Sequence, residues 1–152
     1  MYLIKIRAVR EGDKDFLFNL KNEPVSLRYS FKPHKVQKRE HEKWFKRIAN
    51  STEVKQLIIT GKGNKPIGQA RFNINPEANS AGISVSIVPE MRGKGYGSKI
   101  IGKSSTYAIK KFRINKVYAR IKKSNKASVR AFGKAGFKET DRKKYITMVF
   151  TG

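Results

Sequence analysis

The stretch Val88-Pro89-Glu90-Met91-Arg92-Gly93-Lys94-Gly95-Tyr96-Gly97-Ser98-Lys99 constrains this chain more than any other. Before it, Ile83, Val85 and Ile87 alternate with Ser84, Ser86 and Val88, the period of a strand over 82–88. After it, a helix is predicted over 97–112. The turn between them carries Gly93, Gly95 and Gly97, residues that let a backbone approach a ligand closely. A helix that opens there points unpaired N–H groups into the turn, a geometry suited to a phosphate or pyrophosphate. Arg92 and Lys94 add positive charge. The spacing Arg-x-x-Gly-x-Gly differs from G-x-G-x-x-G, and the Gly-Lys-Ser/Thr ending of an NTPase loop is missing. The sequence therefore predicts a pyrophosphate cradle over residues 93–98 that is neither a dinucleotide site nor an NTPase.

The rest of the chain supplies a sheet for that turn. Strands are predicted at 3–8, 54–60, 66–73, 82–88, 116–121, 137–140 and 145–150. Helices are predicted at 14–22, 37–49, 97–112 and 126–134, with Asp13 capping the first and Gly136 ending the last. Pro24 and Pro33 bracket a segment read as irregular. His41, Trp44, Phe45 and Ile48 share one helical face. The order βααβββαβαββ predicts a mixed α/β sheet of about seven strands with about four helices distributed over both its faces. The 152 residues are read as one domain, 1–152, with enough chain for a core.

Charge narrows the partners. Lys and Arg number 35 against 11 Asp and Glu, a formal charge of +24. Such a field attracts polyanions. The basic residues are spread along the chain rather than gathered in one patch, which argues against nucleic acid. There is no cysteine, so disulfides and thiolate metal sites are excluded and a reducing, cytoplasmic setting fits. The two histidines, His34 and His41, stand in no metal-ligand spacing. Met1–Arg7 alternates apolar and charged residues, a strand pattern rather than a signal peptide, and no apolar run is long enough to span a membrane. Nothing in the sequence sets an oligomeric state.

Arg92, Gly95 and Gly97 match the fixed positions of the Arg/Gln-x-x-Gly-x-Gly/Ala acyl-CoA signature, so the chain resembles the GNAT N-acetyltransferase superfamily. A second block, Asn125-Lys126-Ala127-Ser128-Val129-Arg130-Ala131-Phe132-Gly133-Lys134-Ala135-Gly136-Phe137, resembles that family's Asn-x-x-Ser…Gly-Phe element, in the right order and at the right separation. A narrower resemblance rests on Phe18–Pro24, Ser30-Phe31 and Glu40-His41-Glu42-Lys43-Trp44-Phe45. These segments are similar to the N-terminal half of enzymes that acetylate nucleotide-linked amino sugars, of the pseudaminic-acid-pathway type.

The resemblance implies a GNAT acyl-CoA N-acyltransferase fold with acetyl-CoA as acetyl donor and no metal. The strand at 82–88 would splay from the strand at 116–121 and admit the pantetheine arm. Backbone groups of Ile87 and Val88 would hold it and meet the developing oxyanion, a contribution of about 3–4 kcal/mol in well-studied acyl-transfer sites. The N–H groups of Gly93, Lys94, Gly95, Tyr96, Gly97 and Ser98 would carry the pyrophosphate. Arg92 would act through its side chain or by shaping the turn.

Two departures from the family pattern bear on catalysis. The strand glutamate that serves many relatives as base is absent, which leaves His41 and the loop acid Glu77 as the residues considered. The tyrosine that serves many relatives as acid is Phe132 here, which cannot donate. Ser128 matches a serine that ribosomal-protein-type relatives use for this work and is the candidate donor to the leaving thiolate, with water as its rival; Asn125 would cap the same helix and, by the resemblance, contact the pantetheine or the reacting groups.

The function expected is acetylation of a primary amine on a small molecule, with a nucleotide-linked amino sugar as the acceptor indicated. Arg28, Lys32, Lys35, Lys38 and Arg39 would pair with its diphosphate. The alternatives are an N-terminal or lysine amine on a ribosomal or other protein, and a non-catalytic CoA- or nucleic-acid-binding module.

Overall fold

The structure, a computed structural model, describes residues 3–152. Met1 and Tyr2, read together with the first strand, lie outside the described residues. The elements run β1 (Lys5–Ala8), α1 (Lys14–Lys21), α2 (Pro24–Tyr29), α3 (Lys38–Ala49), β2 (Val54–Thr60), β3 (Pro66–Asn75) and β4 (Ser80–Ile87). They continue through α4 (Tyr96–Lys111), β5 (Lys116–Ile121), α5 (Lys126–Lys134), β6 (Lys138–Asp141) and β7 (Ile146–Phe150). The strands form one sheet in the order β1-β2-β3-β4-β5-β7-β6. Every neighbouring pair is antiparallel except β4 and β5. That parallel pair needs a crossover, and α4 provides it.

The two faces of the sheet differ in chemistry. One carries Leu57, Ile59, Ala70, Phe72, Ala81, Val117, Ala119, Ile121, Ile146, Met148 and Phe150, which pack with Ile100, Ile101 and Ala108 of α4 and Phe132 of α5. Ile83, Val85 and Ile87 of β4 join this layer, as their alternation predicts. The other face carries Gln56, Gln69, Arg71, Ser84 and Ser86 toward α1 and α3. Its apolar cluster is Ile58, Leu17 and Phe45, with Val9, Phe16 and Trp44 at the margin, and Leu20 and Ile48 are buried on α1 and α3 as well. The main core is thus an α4–α5 core, and the α1–α3 side is held by a small apolar cluster beside a polar strip.

That strip is hydrogen-bonded. Gln56 Nε2 donates to Gln69 Oε1 at 2.8 Å, and Gln69 Nε2 donates to Ser86 Oγ at 3.3 Å. At the start of α1, Asp13 occupies the capping position without capping through its side chain. Its carboxylate instead takes Arg7 Nη1 at 2.7 Å, Arg7 Nη2 at 2.9 Å and the Arg10 N–H at 2.7 Å. Burial pushes its pKa up, but the hydrogen bonds from Arg7 and Arg10 outweigh that and hold it below the ordinary value. The predicted cap is therefore a clasp between β1 and α1.

Two further expectations change. Leu3 is exposed and the first strand opens at Lys5, with Ile4 buried instead. The segment after Pro24 is helical over Pro24–Tyr29, which makes five helices rather than four. Glu23 caps this helix through Val25 N at 3.1 Å and Ser26 N at 3.0 Å, with Pro24 at its first position.

Phe72 is fully buried at the centre of the larger core, against Phe112 at 6.2 Å between ring centroids. Phe72→Ala should cost about 3–5 kcal/mol of unfolding free energy, measured by urea denaturation. A loss below about 1 kcal/mol would show that this layer does not hold the sheet together.

Candidate functional site

The site begins where β4 leaves β5. The two strands pair only at Ser80–Lys116, Ala81–Val117 and Gly82–Tyr118. Past that point β4 runs on beside β3 as far as Ile87, while β5 runs on beside β7 as far as Ile121. A wedge opens between them. Val88 N–H donates to Ile67 O at 2.9 Å, and Val88 O accepts from Met91 N–H at 3.0 Å. Backbone groups alternate direction along an antiparallel strand, so Ile83, Val85 and Ile87 turn theirs to the wedge. Of the two residues predicted to hold a pantetheine arm, Ile87 faces the gap and Val88 is already engaged on both sides.

The wedge leads into the glycine turn. Gly93 and Gly95 have φ of 72° and 84°, the left-handed region that glycine enters without strain. Gly95 is the residue at which α4 begins, so Tyr96, Gly97 and Ser98 lie in its first turn, where N–H groups have no intrahelical acceptor. At Gly97 a Cβ would lie 3.5 Å from Ala131 Cβ and 3.7 Å from Ile87 Cδ1, ordinary van der Waals contact where α4 meets α5 and β4.

Arg92 does not point freely into the turn. Its guanidinium grips Glu23 with Nη2–Oε2 at 2.6 Å and Nη1–Oε1 at 3.0 Å. Hydrogen bonding from Arg92 holds the Glu23 carboxyl at about 2. The same carboxylate caps α2, so one residue fastens the α1–α2 junction to the entrance of the glycine turn. A cavity of about 190 Å³ lies beside this link, lined by Phe16, Asn19, Leu20, Val88 and Pro89 among others. Arg92 was expected to act through its side chain or by shaping the turn; its side chain is engaged with Glu23.

On the α1–α3 face the wedge has a mouth. Tyr118 lies across Gly82 so tightly that a Cβ on Gly82 would sit 3.1 Å from its ring, which places a phenol at the fork of the strands. Further out, Phe31 and Tyr145 meet edge to face at 4.5 Å, and the Arg120 guanidinium stands 5.9 Å from each ring. Lys122 Nζ donates to Arg28 O at 3.4 Å. The end of α2 and the β6–β7 loop thereby touch across the sheet.

The predicted catalytic residues separate. Asn125 caps α5, accepting the Ser128 N–H at 3.2 Å, and both residues are half-buried. Phe132 is buried against Phe137 at 5.0 Å, a core role. His41 is 4% exposed and wedged between Phe18 at 5.3 Å and Trp44 at 5.1 Å. Burial, together with Lys14, pushes its pKa down and keeps it neutral. Its ring contacts are those of a packing residue on α1 and α3, not of a base at the wedge. Glu77 is exposed in the β3–β4 turn, at the opposite end of β4 from the glycine turn and roughly 25 Å away at about 3.3 Å per residue. Among the described residues no group of three His, Asp or Glu is placed to hold a metal ion. None of the described helices is long and apolar enough to cross a membrane.

Residues 4–138 match the family model described as an acetyltransferase (GNAT) domain. The chain belongs to the GNAT acetyltransferase family. It is 26% identical over 138 residues to the spermidine N(1)-acetyltransferase of Vibrio cholerae, which covers 90% of this chain and 79% of the relative. The solved spermidine N-acetyltransferase of Vibrio cholerae in complex with CoA and spermine superposes with a TM-score of 0.84 at 22% identity, over 96% of this chain and 92% of that one. A domain from Methanocaldococcus jannaschii superposes with a TM-score of 0.84 at 19% identity over the full length of both. The two Vibrio cholerae proteins are spermidine enzymes rather than the amino-sugar enzymes suggested by the His41-x-x-Trp44-Phe45 segment.

As a GNAT enzyme the chain is an N-acetyltransferase with acetyl-CoA as its donor, and its geometry fits that group. The acetyltransferase offers an unpaired strand edge for an amide-bearing arm and left-handed glycines at a helix start for a pyrophosphate. Two residues at the site escaped the sequence reading. Glu23 was signalled by the Glu-Pro pair that starts α2. Tyr118 was signalled by Val117, Ala119 and Ile121, whose inward alternation turns Tyr118 and Arg120 to the other face.

Two outcomes test this site. Gly95→Ala should cost about 1–2 kcal/mol in left-handed strain and weaken CoA binding by about tenfold, read by calorimetry. Unchanged CoA affinity would remove the turn from the site. The Glu23 carboxyl is depressed in the fold, so its contribution is present above its ordinary value of 4.5 and lost as pH falls toward about 2. Glu23→Gln should therefore flatten the fall in stability between those two values. An equal fall in both proteins would mean that the Arg92 link stabilises nothing.

Proposed function

We propose that this acetyltransferase transfers acetyl to the primary amine of a small acceptor that carries negative charge, with nucleotide-linked amino sugars as the leading class. The observation that carries this reading is the charge at the mouth of the wedge. Arg28, Arg120, Lys122 and Lys144 surround it. Glu23, which reaches the entrance of the glycine turn, is already neutralised by Arg92. The formal charge of the whole chain, +24, acts in the same direction. A polycation would have to enter against that field, with the exposed Glu90 as the unpaired acid beside the turn.

In this reading Ile87 turns its backbone to the donor's arm, and residues 93–98 receive the pyrophosphate. The donor supplies an activated acetyl group. Tyr118 Oη, at the fork, accepts a hydrogen bond from the incoming amine and orients it. Ser84 and Ser86 give the amine's proton a polar route toward solvent. Ser128 Oγ, held in the first turn of α5 by the Asn125 cap, donates to the departing thiolate. Neither Phe132 nor His41 takes part.

The spermidine enzymes among the relatives favour a second reading, in which the acceptor is a polyamine. Thiol release from acetyl-CoA decides between them, with a UDP-linked 4-amino sugar, the free amino sugar and spermidine as acceptors. The anionic acceptor should show the highest kcat/KM, and that value should fall as salt rises, because screening is strong beyond roughly 8 Å at physiological ionic strength. Faster turnover of spermidine, or a flat salt profile, would overturn the anionic reading and leave the acetyltransferase intact.

A further inference from the structure

The polar strip on the α1–α3 face holds one charge that the protein does not neutralise. Arg71 is half-buried on β3, beneath α1 and α3. Among the described residues no carboxylate lies within ion-pair distance of its guanidinium, and no hydrogen bond to it is formed. The Trp44 ring lies beside it, its centroid 6.0 Å from Cζ. Lys21, half-buried at the end of α1, carries the same sign. Burial lowers the pKa of both groups, and Arg71 further lowers that of Lys21. The acid acting on this pair, Glu40, is exposed and reaches Lys21 only at long range.

Two like charges drawn partly out of water without a counter-ion are unfavourable unless something else supplies the negative charge. Elsewhere the chain pairs its half-buried arginines. Arg7 has Asp13 and Arg92 has Glu23. Arg71 stands out against both. A guanidinium fork matches carboxylate and phosphate oxygens, and the Lys21 ammonium adds a point charge beside it.

The position is as informative as the charge. Arg71 pairs in register with Ser84 of β4, and past Gly82 the far edge of β4 is the wedge. One strand spacing, about 4.8 Å, therefore separates the Arg71 backbone from the strand that lines the reaction site. An oxyanion at Arg71 and an amine at the wedge would belong to one compact molecule.

We propose that Arg71, assisted by Lys21, is an oxyanion subsite that binds the carboxylate or phosphate of the acceptor and so selects an anionic amine. This deepens the proposed function and rests on it. Amine and anion would lie roughly one to two strand spacings apart, about 5–10 Å.

Trp44 is the only tryptophan of the chain, and it adjoins Arg71, so its emission reports on this spot. The protein is first saturated with CoA to fill the donor's phosphate sites. Inorganic phosphate and, separately, acetate are then titrated while Trp44 emission is followed. The parent should give a saturable change, and Arg71→Met should lose it or shift its midpoint at least tenfold. A Lys110→Gln control on the opposite face should behave as the parent. The larger response, to phosphate or to acetate, identifies the oxyanion. Arg71→Met should also raise the thermal midpoint, since it removes an uncompensated buried charge.

A response equal in the parent and Arg71→Met, or none in the parent, overturns the subsite. So does a lowered midpoint in Arg71→Met, which would mean that the arginine serves the fold. The acceptor reading fails separately. If anions bind at Arg71 but no anionic amine outruns spermidine, the subsite stands and the acceptor assignment falls. If anionic amines are preferred equally by the parent and Arg71→Met, the assignment stands and the subsite falls.

Discussion

The parting of β4 from β5 after Gly82 and Tyr118 is the constraint on which the rest of the molecule turns. A buried strand edge with unpaired amides is costly, because backbone groups removed from water need partners. Here the cost is tolerated at one edge, on Ile83, Val85 and Ile87, while the same strand stays fully paired to β3. The α4–α5 core makes this possible. Phe72, Ile100, Val117 and Ile146 are wholly buried on that side and hold the two diverging halves of the sheet on one apolar layer. A fork cut into a sheet without such a layer would close by strand pairing.

The α1–α3 face follows another logic. Its apolar contacts are few, and its stability leans on specific polar links: Arg7 with Asp13, Gln56 with Gln69, and Glu23 with Arg92. The last of these joins the acceptor side to the donor side. Glu23 starts α2, whose far end reaches the mouth at Lys122, and Arg92 opens the glycine turn. A ligand that repositions Arg92 would act on α2 through a charge-assisted, two-point contact, the strongest kind of hydrogen bond a carboxylate makes. The contact thus ties α2 to the start of the glycine turn.

Much of this was legible in the sequence wherever a regular period met a strong stop. The alternation of Ile83, Val85 and Ile87, the glycines after Arg92 and the inward set Val117, Ala119 and Ile121 placed the strands and the turn, while the fork between them was implied by the family resemblance. What escaped was long-range. No local pattern shows that Arg92 reaches back sixty-nine positions to Glu23, or that His41 is sealed between Phe18 and Trp44. The helix after Pro24 was missed because its six residues, PVSLRY, bury nothing and carry no apolar period; only its cap and its proline announce it. The acetyltransferase domain model over residues 4–138 fixes the family, and the charge around the mouth motivates the acceptor proposed.

Amide hydrogen exchange, resolved residue by residue by NMR with and without CoA, tests the central claim most directly. The claim is that the fork and the glycine turn together receive the donor. CoA should slow exchange at Ile83, Val85 and Ile87 and across residues 93–98. Val88, already bonded to Ile67, should change little. Protection at the shallow groove between β1 and α4, lined by Ile4, Ile6, Lys103 and Lys110, with none on β4, would contradict the account.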